Sequence, residues 1–149
     1  MLVSINLVGI SGPFSTIFGK MKKIGINILG YNSKLAKTFI IQYKDLFKIK
    51  KFNINTIQNN EYIINFVGST KKVKLLNSNY YYPKKILSKI IKNDIKICWI
   101  QISSLSVYNY NFKIFNKIND ETKPNPSTKY GISKNLFDQY LIKLSSDNK

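Results

Sequence analysis

Histidine and arginine are both missing from the 149 residues, cysteine occurs once, and only 7 side chains are acidic against 24 lysines. Without histidine, Ser-His-Asp and Cys-His catalysis are excluded, and so are His-ligated metals. The lone Cys98 sits in Ile-Lys-Ile-Cys-Trp-Ile. It excludes a disulfide framework within the chain, and a cytoplasmic location is the natural expectation. Cys98 reads as a small core residue and not as a nucleophile. No apolar run approaches the roughly 20 residues of a membrane-spanning helix. Among the acidic residues only Asp120 and Glu121 are adjacent, and neighbours in sequence do not share a face. Any catalytic machinery must therefore be built mainly from Tyr, Lys, Ser, Thr and Asn.

The formal net charge is +17, which invites a nucleic-acid or membrane-surface reading. That reading is set aside. Every basic residue is a lysine, whereas nucleic-acid sites favour the planar fork of arginine. The lysines are spread along the chain and not gathered in one block. Lys, Asn, Ile and Tyr share codons rich in A and T, so a biased genome gives this composition without selection for a basic surface. Neither nucleic acid nor membrane is expected as a partner. A hydrophobic fraction of 44% suits a globular chain, read as one domain.

Residues 1–20 are broken by Gly9, Gly12 and Pro13 and carry no basic start, so they are expected to be a poorly packed extension before a domain at 21–149. Ile24–Gly30 is rich in β-branched residues and ends in glycine, which predicts a buried strand. Asn32 and Ser33 are good helix caps. Leu35, Phe39, Ile40, Tyr43 and Leu46 then recur with helical spacing up to about Phe47. Further strands are expected at 47–55, at 61–67 (closed by Gly68) and at 95–102. A helix over 83–93 has proline in its first turn and Ile86, Leu87 and Ile90 on one face. A last helix begins near Lys129, with Leu136, Phe137, Tyr140 and Leu141 as its apolar face. Strands alternating with helices predict an α/β protein with a parallel sheet.

In an open parallel sheet, ligands sit beyond the carboxyl ends of the strands. Gly30, Gly68 and the pair Ser103-Ser104 all fall at such ends and are expected to converge on one crevice. Gly30-Tyr-Asn-Ser-Lys-Leu-Ala36 stands where a dinucleotide fingerprint belongs, with Ser33 and Ala36 replacing its second and third glycines. A plain turn explains the glycine equally well. Tyr130-Gly-Ile-Ser-Lys134 is the sharper pattern. A spacing of four puts a phenol and an ammonium on one helix face. A free phenol is a poor base at neutral pH, and a nearby ammonium favours its ionised form. Such a pair is a proton shuttle that needs neither histidine nor carboxylate.

Taken together, these stretches resemble the extended short-chain dehydrogenase/reductase family, in its NAD-dependent epimerase/dehydratase branch acting on nucleotide sugars. They are Ile100-Gln-Ile-Ser-Ser-Leu-Ser-Val-Tyr108, Asp120-Glu-Thr-Lys-Pro-Asn-Pro126 and Tyr130-Gly-Ile-Ser-Lys134. Tyr62–Gly68 and Asn77–Pro83 add to the likeness, which runs from about Ile24 to the C-terminus. The resemblance implies a Rossmann-like parallel sheet flanked by helices. It implies Tyr130, Lys134 and Ser104 as catalytic residues, with Ser103 and Ser106 as neighbours. Gly30, Asn32, Ser33, Ala36, Gly68 and Lys134 would then bind the cofactor, NAD or NADP, and Asn79 would match a structural asparagine of the family. A surface asparagine remains the alternative. No metal is implied.

Three departures stand out. The stretch from Gly30 to Gly68 is short for the family, so a helix and a strand are expected to be missing there. Lys48, Lys50 and Lys51 stand where an acidic residue would hold the ribose 2′-hydroxyl, which points toward the 2′-phosphate of NADP. The chain ends at Lys149, soon after the Tyr-Lys helix, so the resemblance implies a truncated domain whose small C-terminal substrate domain is absent. The expected function is the N-terminal part of an NAD(P)-dependent nucleotide-sugar epimerase, dehydratase or reductase of polysaccharide biosynthesis, inactive alone. Its substrate would be a nucleotide sugar, and its missing half would come from a C-terminal complementing chain or a homo-oligomer. The alternatives are a non-catalytic dinucleotide- or partner-binding module and a basic nucleic-acid-binding protein.

Overall fold

A computed structural model describes residues 23–108, 118 and 121–147; the expected extension 1–20 and Asp120 lie outside them. These residues divide into two compact units, one over 23–66 with 96–102 and the other over 67–95 with 103 onward.

The first unit is a parallel sheet with one helix. Its elements are β1 (Ile24–Leu29), α1 (Lys34–Tyr43), β2 (Phe47–Lys51), β3 (Glu61–Asn65) and β4 (Ile97–Gln101). The strand order is β2-β1-β3-β4, with every pairing parallel. Register puts Ile28, Ile64 and Ile100 in one row. Ile26, Ile28, Ile64 and Phe66 form a core with Ala36 of α1, and Phe39, Phe47 and Ile49 close around it. On the opposite pleat, Asn65 and Gln101 are register partners. The Asn65 amide donates to Gln101 Oε1 at 2.8 Å, and the Trp99 indole donates to the same oxygen at 3.4 Å. Polar groups this deep must be paired, and here they pair with each other across the strands.

Several expected boundaries shift for identifiable reasons. The helix expected to reach Phe47 stops at Tyr43, because Phe47 pairs with Ile24 and opens β2. Leu35 and Leu46, expected on its apolar face, are 56% and 41% exposed. β2 ends at Lys51 and not at Asn55, since the Asn53 side chain accepts the Asn55 amide and starts a turn. Nine residues (52–60) carry the chain from β2 to β3 without a helix, in keeping with the shortness noted between Gly30 and Gly68. β3 ends at Asn65, short of Val67, and the Phe66 amide adds one more ladder bond to Leu29 O. Ile95 belongs to a helix end instead of to β4. Its amide bonds Ile90 O, the Asp94 amide bonds Ile91 O, and Asp94 has φ 54°, a six-to-one helix stop with its left-handed residue.

The second unit is helical. A 3-10 turn (Lys72–Lys74) leads into a π-turn (Asn77–Tyr81), and this runs straight into α2 (Tyr82–Lys92). A 3-10 turn at Leu105–Tyr108 precedes α3 (Lys129–Asp147). The helix expected to start at Pro83 thus extends back through the π-turn. Pro83 explains the wider turn: it has no N–H for the Asn79 carbonyl, and its ring would strike that carbonyl in a regular helix. The ladder opens instead, with the Tyr82 amide bonding Asn77 O.

Two devices fix α3. Asn79, only 1% exposed, accepts the Ser69 amide at 2.9 Å. Its own amide donates to Ser69 O at 3.0 Å and to Ser133 Oγ at 2.9 Å. Gly131 is the second device. A Cβ there would lie 2.2 Å from Ser106 O and 3.1 Å from Pro126 Cβ, so α3 can rest on the 105–108 turn only through glycine. Thr128 caps the helix, its hydroxyl accepting the Gly131 amide at 3.0 Å. Phe137 and Leu141 are buried as expected, but Leu136 is 42% exposed.

Gly131→Ala should therefore destabilise the chain by about 1–3 kcal/mol through overpacking, although alanine favours a helix by about 1 kcal/mol; urea unfolding reads the sign. Asn79→Ala strands both Ser69 backbone groups and should lower stability by about 2–4 kcal/mol in the same measurement.

Candidate active site

The second unit carries the hydroxyl, phenol and amine groups expected to react, on the segment after β4 and on α3. Tyr130 lies in the first turn of α3 and is partly exposed, whereas Lys134 is 4% exposed. The intervening Ser133 is also buried. Its hydroxyl donates to Tyr130 O at 2.7 Å while accepting from Asn79. The turn that carries the phenol is thereby tied to the π-turn. Asn79 is thus buried and structural, and the surface-asparagine alternative falls.

The serines that follow β4 take distinct roles. Ser104 Oγ accepts the Ser106 amide at 3.2 Å, and Ser104 O accepts the Val107 amide at 3.1 Å. These bonds turn the chain into the 105–108 segment and leave the Ser104 hydroxyl proton out of that turn. The Ser103 hydroxyl donates to Asp138 Oδ2. Ser106 contributes the carbonyl on which Gly131 rests.

Asp138 is the residue that sequence reasoning missed. It lies one turn beyond Lys134, continuing the spacing of four that links Tyr130 to Lys134, so the signal was a third member of the same row. Burial holds the Lys134 amine below the usual lysine range, and the Asp138 charge opposes that fall. Burial pushes the Asp138 carboxyl up, while the Ser103 hydrogen bond and the Lys134 charge pull it back. Each group is desolvated, and each supports the charged form of the other.

The expected cofactor residues lie in two places. In the second unit, Gly68 follows β3 and is exposed; a Cβ there would meet Asn79 Oδ1 at 3.1 Å. In the first unit, Gly30 has φ 83°, a left-handed conformation that favours glycine, and its carbonyl accepts the Ser33 amide at 2.9 Å. Ser33, and not Asn32, caps α1: its hydroxyl accepts the Ala36 amide at 3.2 Å, and Asn32 is exposed. Ala36 is fully buried in the core against β1. Its place in the fingerprint is therefore helix packing, the role of the third glycine. No acidic residue lies in the first turn of α1, and Lys34 opens it, which suits an anion at the helix start.

At the end of β2, Lys48 and Lys51 are exposed, while Lys50 pairs with Glu61 at 3.5 Å. Glu61 also accepts from the Asn27 side chain and the Gln58 amide, so it is engaged in the sheet. Cys98 is half-buried, and burial pushes its thiol up, against a nucleophilic role. Among the described residues, no His/Cys/Asp/Glu group could hold a metal ion, and no helix is long and apolar enough to cross a membrane.

No protein-family model matches the chain, and no curated protein matches it. Solved structures do. RMD from Pseudomonas aeruginosa, complexed with NADPH, superimposes with a TM-score of 0.66 at 14% identity, over 85% of this chain and 51% of that one. The dTDP-glucose 4,6-dehydratase from Bacillus anthracis, in complex with NAD, gives 0.61 at 16% identity, over 81% and 51%. The UDP-N-acetylglucosamine 4-epimerase from Bacillus cereus gives 0.60 at 14%, over 85% and 50%. The chain thus spans about half the length of these proteins. At such identities the likeness is one of fold, and the fold is the Rossmann-like parallel α/β fold that the alternation of strands and helices predicts.

Proposed function

We propose that the chain is the dinucleotide-binding and proton-transferring part of a cytoplasmic NAD(P)-dependent nucleotide-sugar epimerase, dehydratase or reductase. The observation that carries this reading is the build of α3. Tyr130 stands partly open, one turn before a buried Lys134, on a helix clamped by Asn79 and seated on the 105–108 turn through Gly131. A buried lysine has to be supported by its surroundings, and the Asp138 charge opposes the burial that holds the Lys134 amine down. The fold shared with structures solved with NADPH or NAD points the same way.

In this reading Tyr130 gives or takes the proton at a sugar hydroxyl or carbonyl oxygen. Ser104 holds that oxygen with its hydroxyl proton. Lys134 supplies positive charge along the same helix face and a donor for the ribose of the cofactor. A nicotinamide dinucleotide, when bound, supplies hydride transfer. Its pyrophosphate suits the turn at Gly30 and the acid-free first turn of α1. Lys51, at the end of β2, stands where an acceptor for the 2′-hydroxyl would stand in an NAD site, and this favours NADP.

Nucleotide-sugar turnover also requires groups that grip the nucleotide and the sugar, because positioning supplies several kcal/mol of the barrier reduction. Those groups are proposed to come from a C-terminal complementing chain or a second copy.

Thermal unfolding of the full chain with each oxidised dinucleotide tests the cofactor assignment. At about 100 times Kd, binding should stabilise it by about 2.7 kcal/mol, with a larger rise in Tm for NADP than for NAD. A rise with neither removes the dinucleotide reading. Steep salt dependence of DNA or RNA retention would favour the basic-binder alternative instead. Tyr130→Phe should keep the NADP response and lose at least about 100-fold of any reductase activity regained with a C-terminal complement. Retained turnover in that variant removes Tyr130 from its role.

A further inference from the structure

Asp138 is half-buried, and its two carboxylate oxygens are served unequally. One of its carboxylate oxygens accepts the Ser103 hydroxyl. The other, Oδ1, is buried without a hydrogen-bond partner. Buried acceptors are normally satisfied, and a half-satisfied carboxylate is tolerated when a cation offsets it. The cation here is Lys134, one helical turn earlier and 4% exposed. Ser103 acts on Asp138 from the segment after β4, and Lys134 acts on it from α3 itself.

We propose that Asp138 is a positioning residue of the site: it anchors the serine segment after β4 through Ser103 and supplies a counter-charge to the Lys134 ammonium, one turn past Tyr130 on α3. The inference rests on reading Tyr130 and Lys134 as the reacting pair, but the pairing of charges is measurable without turnover. Asp138 ties two catalytic elements together. Its link to Ser103 fixes the segment holding Ser104, and its charge acts on the residue one turn past the phenol. Neither role requires it to touch substrate.

The signs follow from the two desolvated groups. Burial lowers Lys134, and the Asp138 charge raises it. Removing that charge while keeping the shape must therefore lower the ammonium further. The Ser103 bond lowers Asp138, so removing the hydroxyl must raise the carboxyl.

The test is an NMR titration of the full chain, following the Lys134 side-chain signal, assigned by its loss in Lys134→Met, and the carboxyl carbon of Asp138. Asp138→Asn retains an acceptor for Ser103 and should move the Lys134 midpoint down by about 1 pH unit or more. Ser103→Ala should move the Asp138 midpoint up, and it covers the case in which Asp138→Asn does not fold. An unmoved Lys134 midpoint in folded Asp138→Asn overturns the proposal, as does an unmoved Asp138 midpoint in Ser103→Ala. NADP binding measured in parallel separates the two readings. If the wild type binds no dinucleotide while both midpoints move, the charge pairing stands and the cofactor assignment falls. If the wild type binds, the affinity of Asp138→Asn should fall at a lower pH than that of the wild type, and an unchanged pH dependence overturns the positioning role.

Discussion

A single buried amide organises the start of α3. Asn79 has three hydrogen bonds, two to the backbone of Ser69 and one to the hydroxyl of Ser133. In water each of those groups would be solvated, so the net gain per bond is modest. Losing the amide would strand both backbone groups of Ser69 and take away the donor to Ser133, and the asymmetry makes the arrangement unforgiving. Through Ser133 the constraint reaches the carbonyl of Tyr130. The orientation of the first turn of α3 thus depends on a residue more than fifty positions earlier in the chain.

Polar burial recurs in both units and is handled by local pairing. In the sheet, Asn65 and Gln101 satisfy each other across β3 and β4, and Trp99 shares the Gln101 oxygen. In the helical unit, Lys134 and Asp138 are desolvated together. A charge pair of this kind is weak support for stability, because desolvation offsets much of the attraction. Its value lies in where it holds the two charges. The sheet amides are neutral and cross-strand, which suits a scaffold. The two charged residues follow Tyr130 at successive turns of α3 and act on each other through their charges.

Much of this was legible in the sequence, and the failures have physical causes. The β-branched runs at Ile24 and Glu61 gave strands, Gly30 marked a left-handed turn, and the Tyr130–Lys134 spacing fell on a helix. Burial of Leu35, Leu46 and Leu136 was misjudged, because helical periodicity identifies an apolar stripe without saying how wide the covering surface is. Ile95 looked like strand because it is apolar and β-branched; its amide is used to close α2. Asp138 adjoins no other carboxylate in the sequence, and its link to Ser103 exists only in the fold. The roles of Ser103 and Ser104 could not be separated from the sequence, since both are serines in one short run and differ only in what folds against them.

The π-turn has one more consequence. Leu75, Asn79, Pro83 and Leu87 are all buried and stand four apart. At 3.6 residues per turn, each step of four overshoots by about 40°, so a regular helix would carry this row about a third of the way round its cylinder. The widened turn holds more residues per revolution and takes up part of that drift. A leucine, an amide, a proline and a second leucine can then share one inward line, and the asparagine stands in a rank otherwise filled by apolar side chains. Shortening the segment by one residue would break that line, turning either the amide or Leu87 away from the interior.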